Sequence, residues 1–462
     1  MPIFDGHVLF FSGVVCLLPL SGLDFHDARC SRYGLARSGR ADHGGRVHMS
    51  PASPVWRIGL PVHCRDLQPD YRMWREAGPV QRVEFPDGLR VWAVTRYDDV
   101  LALLRSEGFT RDWSDVPCPA YGYGMRRHGE DYFAAKPSNL FNSDGTDHQR
   151  LLRLVAPFFN RRRIEGLQPF IDSVVHDVVE RLAGRRTMDL VADFAVPIPL
   201  RIIGRLLGIR DALLPALTEH LHVVSGWIAP ESERWRRSML ALHRLTLHIM
   251  REPRPEEDSL IAVLLKAHTE RGLISRPEIS SMIKILLATG YETTAALLAN
   301  GACAMIGDAA VRQQLATRSD TDACVAELLR WQPPSPWGQI RIALRDITFA
   351  GTRIKAGDLV YPLIAAANRD PARFTAPDRF DPRRREVTHL SFGRGRRRCL
   401  GTPLALAVAT AALPELAERL QGARLTILAE RFHWHGLMHV RMLQDLPVLA
   451  VDRAAADAVS RL

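Results

Sequence analysis

No two cysteines in this 462-residue chain stand as Cys-x-x-Cys, and the seven that occur are scattered and odd in number. That excludes a zinc ribbon or finger and a disulfide-stapled scaffold, and it fits a reducing compartment. No basic run is interleaved with aromatics and no helix-turn-helix spacing is present, so the net charge of +10 is not read as a nucleic-acid footprint. An acidic protein partner or a membrane surface is left. The apolar run VLFFSGVVCLLPL at 8–20 is shorter than the ~20 residues of a spanning helix, is interrupted by Gly13 and Pro19, and follows Asp5 where a signal peptide would be positive. Residues 1–50 therefore read as a disordered extension or one translated upstream of a start at Met49, with a weak membrane anchor as the alternative. No internal repeat or linker breaks 51–452, so a single mixed but mostly helical domain over 51–462 is expected. Hydrophobic residues at 47% and charged residues at 24% are the balance of a soluble globular protein.

What is present is helical periodicity. It predicts helices over most of 163–183, 197–207, 211–224, 232–251, 257–268, 276–306, 320–331 and 402–420, with a short amphipathic one at 98–106. Strand-like stretches fall at 89–97, 338–344, 347–350 and 358–361. A Pro-, Gly- and Tyr-rich segment at 111–142 reads as a long functional loop. The helix at 276–306 would run about 46 Å. It opens on a Ser275/Glu278 capping box with Pro277 in its first turn.

Three stretches carry candidate chemistry. In the middle of the long helix, LLATGYETTAA is poor in helix propensity. Gly290 removes a side chain from one face, and Thr293 and Thr294 follow at i+3 and i+4, which predicts a notch bordered by hydroxyls with Glu292 beside it. A glycine packed against a neighbouring helix is the other reading. In CVAELLRWQPP, Glu327 and Arg330 stand at i, i+3 among apolar neighbours, which predicts a partly buried pair in need of further partners. In FGRGRRRCLG, Gly393, Gly395 and Gly401 let the backbone approach something bulky, and Cys399 precedes a helix whose positive end, with the arginines, favours a thiolate. A buried cysteine beside a basic loop is the plainer alternative. A thiolate there suits a haem iron, since it pushes electron density toward bound peroxide.

The sequence resembles the cytochrome P450 family, in its soluble bacterial type. Phe392, Gly395, Arg397, Cys399 and Gly401 match the family's cysteine loop, Phe-x-x-Gly-x-Arg/His-x-Cys-x-Gly. Gly290, Glu292, Thr293 and Thr294 match its long-helix signature, Glu327 and Arg330 its Glu-x-x-Arg, and AANRDPARFTAPDRFDPRR at 366–384 its meander, with Arg379 as the arginine that joins the pair. The resemblance implies an α+β fold, mainly α with small β-sheets: a triangular helical prism with haem b between the long helix and the helix after the cysteine. It implies Cys399 as the axial iron ligand, with Arg397, Arg341 and His148 at the haem propionates. Glu327, Arg330 and Arg379 would form a structural network, and Thr293 and Glu292 would deliver protons to bound oxygen.

The activity so implied is a haem-thiolate monooxygenase that uses O2 and two electrons to hydroxylate or epoxidise a lipophilic small molecule, such as a natural product under biosynthesis. Its electrons would come from an acidic ferredoxin and its NAD(P)H-dependent reductase, in the cytoplasm, with the enzyme a monomer free of membrane and nucleic acid. Arg394, Arg396 and Arg398 would alternate outward from the haem as a basic rim for that ferredoxin. Two departures stand out. Leu152 replaces the propionate-binding arginine often found one turn after His148, with Arg150 and Arg153 beside it, and Thr289 replaces a small residue before Gly290. A peroxide-driven peroxygenase or haem isomerase on the same fold and a non-catalytic haem-binding protein are the competing readings. Substrate contacts are expected from 111–142, 220–230, Leu287, Thr289, 335–340 and 435–438.

Overall fold

The computed structural model describes residues 55–58, 66–85, 89–112, 137–225, 232–251, 258–317, 320–385, 388–428, 431–435 and 440–450, all within one compact unit, His43–Leu462. The extension expected at 1–50 lies outside the described residues, as do 113–136 of the long loop, 226–230 and 436–439.

Helices dominate. The first eight are α1 (Gln68–Ala77), α2 (Tyr97–Arg105), α3 (Gly145–Val155), α4 (Arg161–Glu180), α5 (Pro197–Leu207), α6 (Leu214–Ser225), α7 (Glu233–Arg251) and α8 (Leu260–Arg271). They are followed by α9 (Arg276–Gly307), α10 (Ala309–Ala316), α11 (Thr321–Trp331), α12 (Ile364–Ala367) and α13 (Thr402–Arg419). The strand expected at 89–97 stops at Val94, because Tyr97, Asp98 and Asp99 start α2, whose first turn favours acidic side chains.

A mixed sheet has the order β1 (Val55–Arg57), β2 (Val80–Glu84), β3 (Arg90–Val94), β9 (Leu359–Pro362), β6 (Arg341–Ala343), β4 (Phe109–Thr110). β1 with β2 and β3 with β9 are parallel, and the other neighbours antiparallel. β10 (Arg424–Leu425), β13 (Pro447–Leu449) and β5 (Thr187–Asp189) form a three-stranded sheet. Two hairpin-like pairs complete the set, β7 (Ile347–Phe349) with β8 (Thr352–Ile354) and β11 (Trp434–His435) with β12 (Met442–Leu443).

The long helix α9 is capped as its sequence predicts: Ser275 Oγ accepts from the Glu278 amide at 3.3 Å, and Glu278 Oε2 accepts from the Ser275 amide at 2.7 Å. It is long and apolar enough to cross a membrane, but 78% of its most apolar window is buried inside the protein, so its apolarity is that of a core helix. It packs against α5 and α13. At Gly290 the approach of α5 leaves no room for a side chain: a Cβ there would lie 2.8 Å from Ile203 Cγ1 and 2.9 Å from its Cδ1. The glycine is therefore a helix-packing residue, and the notch expected on its face is filled by Ile203.

Beneath the cysteine loop lies a buried ion pair. Arg330 donates from Nε to Glu327 Oε2 and from Nη2 to Oε1, both at 2.7 Å, with side-chain exposures of 1% and 4%. Charges so desolvated are tolerated only when every remaining donor and acceptor is matched. Arg330 Nη1 donates to the carbonyls of Asn368 (2.9 Å) and Pro377 (2.8 Å), and Nη2 to that of Arg379 (3.1 Å). Glu327 Oε1 also accepts from the Asp381 amide at 2.8 Å and from Arg384 Nε at 3.4 Å. The third arginine of the network is thus Arg384, not Arg379 as the sequence pattern implied. Arg379 contributes its carbonyl while its residue is exposed. Arg384 is buried and also donates to the carbonyls of Thr375 and Ala376.

Two predictions follow from this packing, both read by urea unfolding. Arg384→Ala, which breaks a buried charge network, lowers stability by about 3 kcal/mol, whereas Arg379→Ala stays within about 0.5 kcal/mol of the parent. Gly166→Ala, inside α4 with nothing within 4 Å of the new Cβ, raises stability by about 1 kcal/mol. Gly290→Ala has the same propensity gain but lowers stability by about 1 kcal/mol, because overpacking against Ile203 outweighs it.

Candidate active site

The cysteine loop is moulded between α11 and α13. Ser391 Oγ donates to the Leu329 carbonyl on α11 at 2.6 Å, and Asn368 reaches it twice, donating from Nδ2 to Ser391 Oγ (2.9 Å) and accepting from the Leu390 amide at Oδ1 (2.8 Å). Asn368 also lends its carbonyl to Arg330, so the buried ion pair and the loop share one residue. Gly393 (φ 65°) and Gly395 (φ 75°) take left-handed conformations that only glycine adopts without strain. These turns bring the Cys399 amide back to the Phe392 carbonyl at 2.8 Å, which closes the loop around the sulfur.

The Cys399 side chain is accessible rather than packed into the core. Burial pushes its thiol above the ordinary value. The amides of Gly401 and Thr402, the Thr402 hydroxyl and Arg398 pull the other way without prevailing. The helix end and Arg398 both favour the anion, as the sequence implies, but desolvation outweighs them. What the chain does provide is a set of N–H donors at the first turn of α13, the geometry that stabilises sulfur as an anion once a metal has displaced its proton.

A second cluster lies where β4, β6 and α3 meet. Arg397 donates to the carbonyls of Leu140 and Ser143 and to Asp144 Oδ1. Arg341 is 5% exposed and donates from Nη1 to the carbonyls of Gln339 and Ile340. Burial lowers its pKa to about 10, with Arg397 adding to the effect. Arg111, which sequence reasoning missed, lies among them: burial, then Arg341 and Arg397, put its pKa well below the ordinary value. Asp144 is the one carboxylate acting on this group among the described residues. Burial would raise its pKa, but the Arg111 amide, the Thr110 hydroxyl and Arg397 hold it at about 2.

His148 stands beside them, its pKa lowered to about 4 by burial and then by Arg397 and Arg111, so at neutral pH it carries no charge. Arg111, Arg341 and Arg397 against Asp144 leave two positive charges in excess, and Arg111 Nε is buried without a hydrogen-bond partner. A group that brings two carboxylates fits this excess, as the paired propionates of haem would.

In the middle of α9, Thr289 Oγ1 donates to the Ile285 carbonyl (2.7 Å), Thr293 to that of Thr289 (2.7 Å) and Thr294 to that of Gly290 (3.1 Å). Such back-bonds bend or loosen a helix locally. Thr289 and Thr293 lie one turn apart and are the partly accessible threonines of this stretch, whereas Glu292 and Thr294 are buried. Tyr291, buried in the same turn, donates from its hydroxyl to Glu292 Oε1 at 3.4 Å.

On α3, Leu152 is half-buried one turn beyond His148. Neither neighbour replaces an arginine there: Arg150 bonds Asp147, Glu278 and the Leu273 carbonyl, and Arg153 is exposed. In the cysteine loop, Arg396 and Arg398 are exposed as expected, but Arg394 is half-buried.

Comparison with known proteins agrees with this arrangement. A family model described as Cytochrome P450 matches residues 200–421. Cytochrome P450 107B1 of Saccharopolyspora erythraea is 32% identical over 83% of this chain and 95% of its own length. Mycinamicin IV hydroxylase/epoxidase of Micromonospora griseorubida is 33% identical over 84% and 96%. Among solved structures, the tirandamycin C-bound P450 monooxygenase TamI superposes with a TM-score of 0.75 at 28% identity, covering 84% of this chain and 98% of its own. The myxobacterial CYP267B1 bound to myristic acid gives 0.75 at 29%, covering 85% and 98%. With a third of its residues shared with these relatives over nearly their whole length, the chain belongs to the cytochrome P450 family of haem-thiolate monooxygenases.

Proposed function

We propose that this monooxygenase takes two electrons from a ferredoxin, reduced by an NAD(P)H-dependent reductase, and hydroxylates or epoxidises a lipophilic small molecule in natural-product biosynthesis. Cys399 would hold the haem iron in this reading, with Arg397, Arg341 and His148 at the propionates and Phe392, Gly393, Gly395 and Gly401 shaping the loop. Haem bound through that sulfur supplies the dioxygen-activating chemistry. The chain's own residues supply protons and exclude water. The observation that carries the reading is the pairing of a buried acid with an accessible hydroxyl: Glu292 is 5% exposed, and the neighbouring Thr293 is partly accessible.

Thr293 donates to the Thr289 carbonyl, which leaves the lone pairs of its oxygen free to accept from a proton donor on the open side. Glu292, restrained by the Tyr291 hydroxyl, holds the proton to be passed on. A site that passes protons singly while keeping bulk water out avoids release of peroxide. Peroxide-driven relatives tend to lack such an acid–threonine pair, which favours the oxygen- and electron-dependent reading.

The substrate class rests on the relatives: mycinamicin IV is acted on by one of them and tirandamycin C is bound by another. The redox partner rests on charge. Arg396 and Arg398 are exposed on the cysteine loop, and Arg396 pairs with Glu107 at 2.8 Å, with side-chain exposures of 85% and 79%. A surface pair of this kind is worth little and is readily exchanged for a partner's carboxylate. An acidic ferredoxin in the cytoplasm, meeting a monomeric enzyme, suits that rim.

Turnover separates the readings. With NADPH, ferredoxin reductase and ferredoxin the enzyme forms product, and with hydrogen peroxide alone it does not; the opposite result contradicts the proposal. Thr293→Ala consumes NADPH but yields product per NADPH reduced by about tenfold or more, with hydrogen peroxide in its place. Stopped-flow reduction by ferredoxin slows steeply with added salt and slows by about tenfold in Arg396→Glu/Arg398→Glu; salt-independent rates would rule out steering by the rim.

A further inference from the structure

Arg111 is marked by no motif, yet it occupies the centre of the cationic cluster. It directly follows β4, is 7% exposed, and its guanidinium stacks over the Phe141 ring at 4.6 Å. Nη2 donates to Gln339 Oε1, while Nε is buried with no hydrogen-bond partner. Asp144 does not complete it, because the oxygens of Asp144 already accept from the Arg111 amide (2.6 Å), the Thr110 hydroxyl (2.7 Å) and Arg397.

Gln339 holds two arginines at once. Its side chain accepts from Arg111, and its carbonyl accepts from Arg341 Nη1 at 3.0 Å. A residue that aligns two buried guanidiniums, one with a spare donor, prepares them for a bidentate anionic group. Helix α3 offers nothing equivalent, since the face of His148 continues into Leu152 and Arg150 is committed to Glu278, Asp147 and the Leu273 carbonyl.

We propose that Arg111, positioned by Gln339 and Phe141, supplies the guanidinium that grips the haem propionates in place of one from α3. This rests on the reading that the propionates lie among Arg341 and Arg397. The strand end, rather than the helix, then carries that part of the cofactor's charge, and the excess of two positive charges in the cluster is matched by two carboxylates.

The test is haem transfer from the holoenzyme to excess apomyoglobin at neutral pH, with thermal melting of each apoprotein alongside. Arg111→Gln loses haem about tenfold faster than the parent, the loss of one charge-assisted hydrogen bond. Arg111→Lys, which keeps charge without the planar fork, lies between them. Leu152→Arg added to Arg111→Gln restores most of the retention, by returning a guanidinium from the helix side, a rescue that a purely structural role for Arg111 would not show.

Unchanged haem loss in Arg111→Gln, with faster loss in Arg341→Gln, overturns the assignment of Arg111 and leaves the propionate site standing. Unchanged loss in both overturns the propionate site as well. Faster loss in Arg111→Gln with a lowered apoprotein melting temperature and no rescue by Leu152→Arg reduces Arg111 to a structural residue and also overturns the assignment.

Discussion

The buried bidentate contact between Arg330 and Glu327 is the constraint on which the placement of the cysteine depends. A guanidinium and a carboxylate this deep are tolerable only if the chain itself solvates them. The carbonyls of Asn368, Pro377 and Arg379 and the amide of Asp381 do so, which fixes the irregular segment after α12 without any regular secondary structure. Asn368 then turns the other way and holds Leu390 and Ser391. A loop with two left-handed glycines would otherwise have many conformations; anchored at one end by this network and at the other by α13, it presents one sulfur in one place.

Electrostatics divides the site into two ends with opposite requirements. Around Cys399, amide donors from the first turn of α13 and the nearby Thr402 hydroxyl await an anion that desolvation alone disfavours. Around Arg111, Arg341 and Arg397, positive charge is crowded past what Asp144 neutralises. Each end is unfavourable by itself, and in the proposed reading each would be relieved by a different part of a single group that carries a metal and paired carboxylates. Strain of this kind, stored at a site and held by the surrounding packing, is characteristic of functional centres.

Much of the fold was legible because helices report themselves through periodicity over many residues. The long helix α9 ends within one residue of its expected bounds, with its capping box formed as written. The two-residue strand β4 is too short to show a period, whereas α1, with Tyr71 and Trp74 buried one turn apart, carried a readable pattern that sequence reasoning missed. At the site, motif positions located Cys399, Glu327 and Arg330, but proximity across the chain left no trace in spacing. Arg384 replaces Arg379 because the meander folds back further than the pattern implied. Arg111 and Asp144 lie 33 residues apart in the chain and reveal themselves only where β4 meets the start of α3. The pattern at Gly290 left a notch and a helix contact as alternatives, and only the approach of Ile203 decides between them.

The central claim is that the sulfur of Cys399 donates as an anion to the haem iron, and the ferrous carbonyl spectrum tests it most directly. The parent protein is predicted to show the red-shifted absorption of a thiolate-ligated carbonyl complex, and Cys399→Ser to lose it while keeping its helical circular dichroism. Persistence of the red-shifted band in that variant, or its absence from the parent reconstituted with haem, would contradict the assignment.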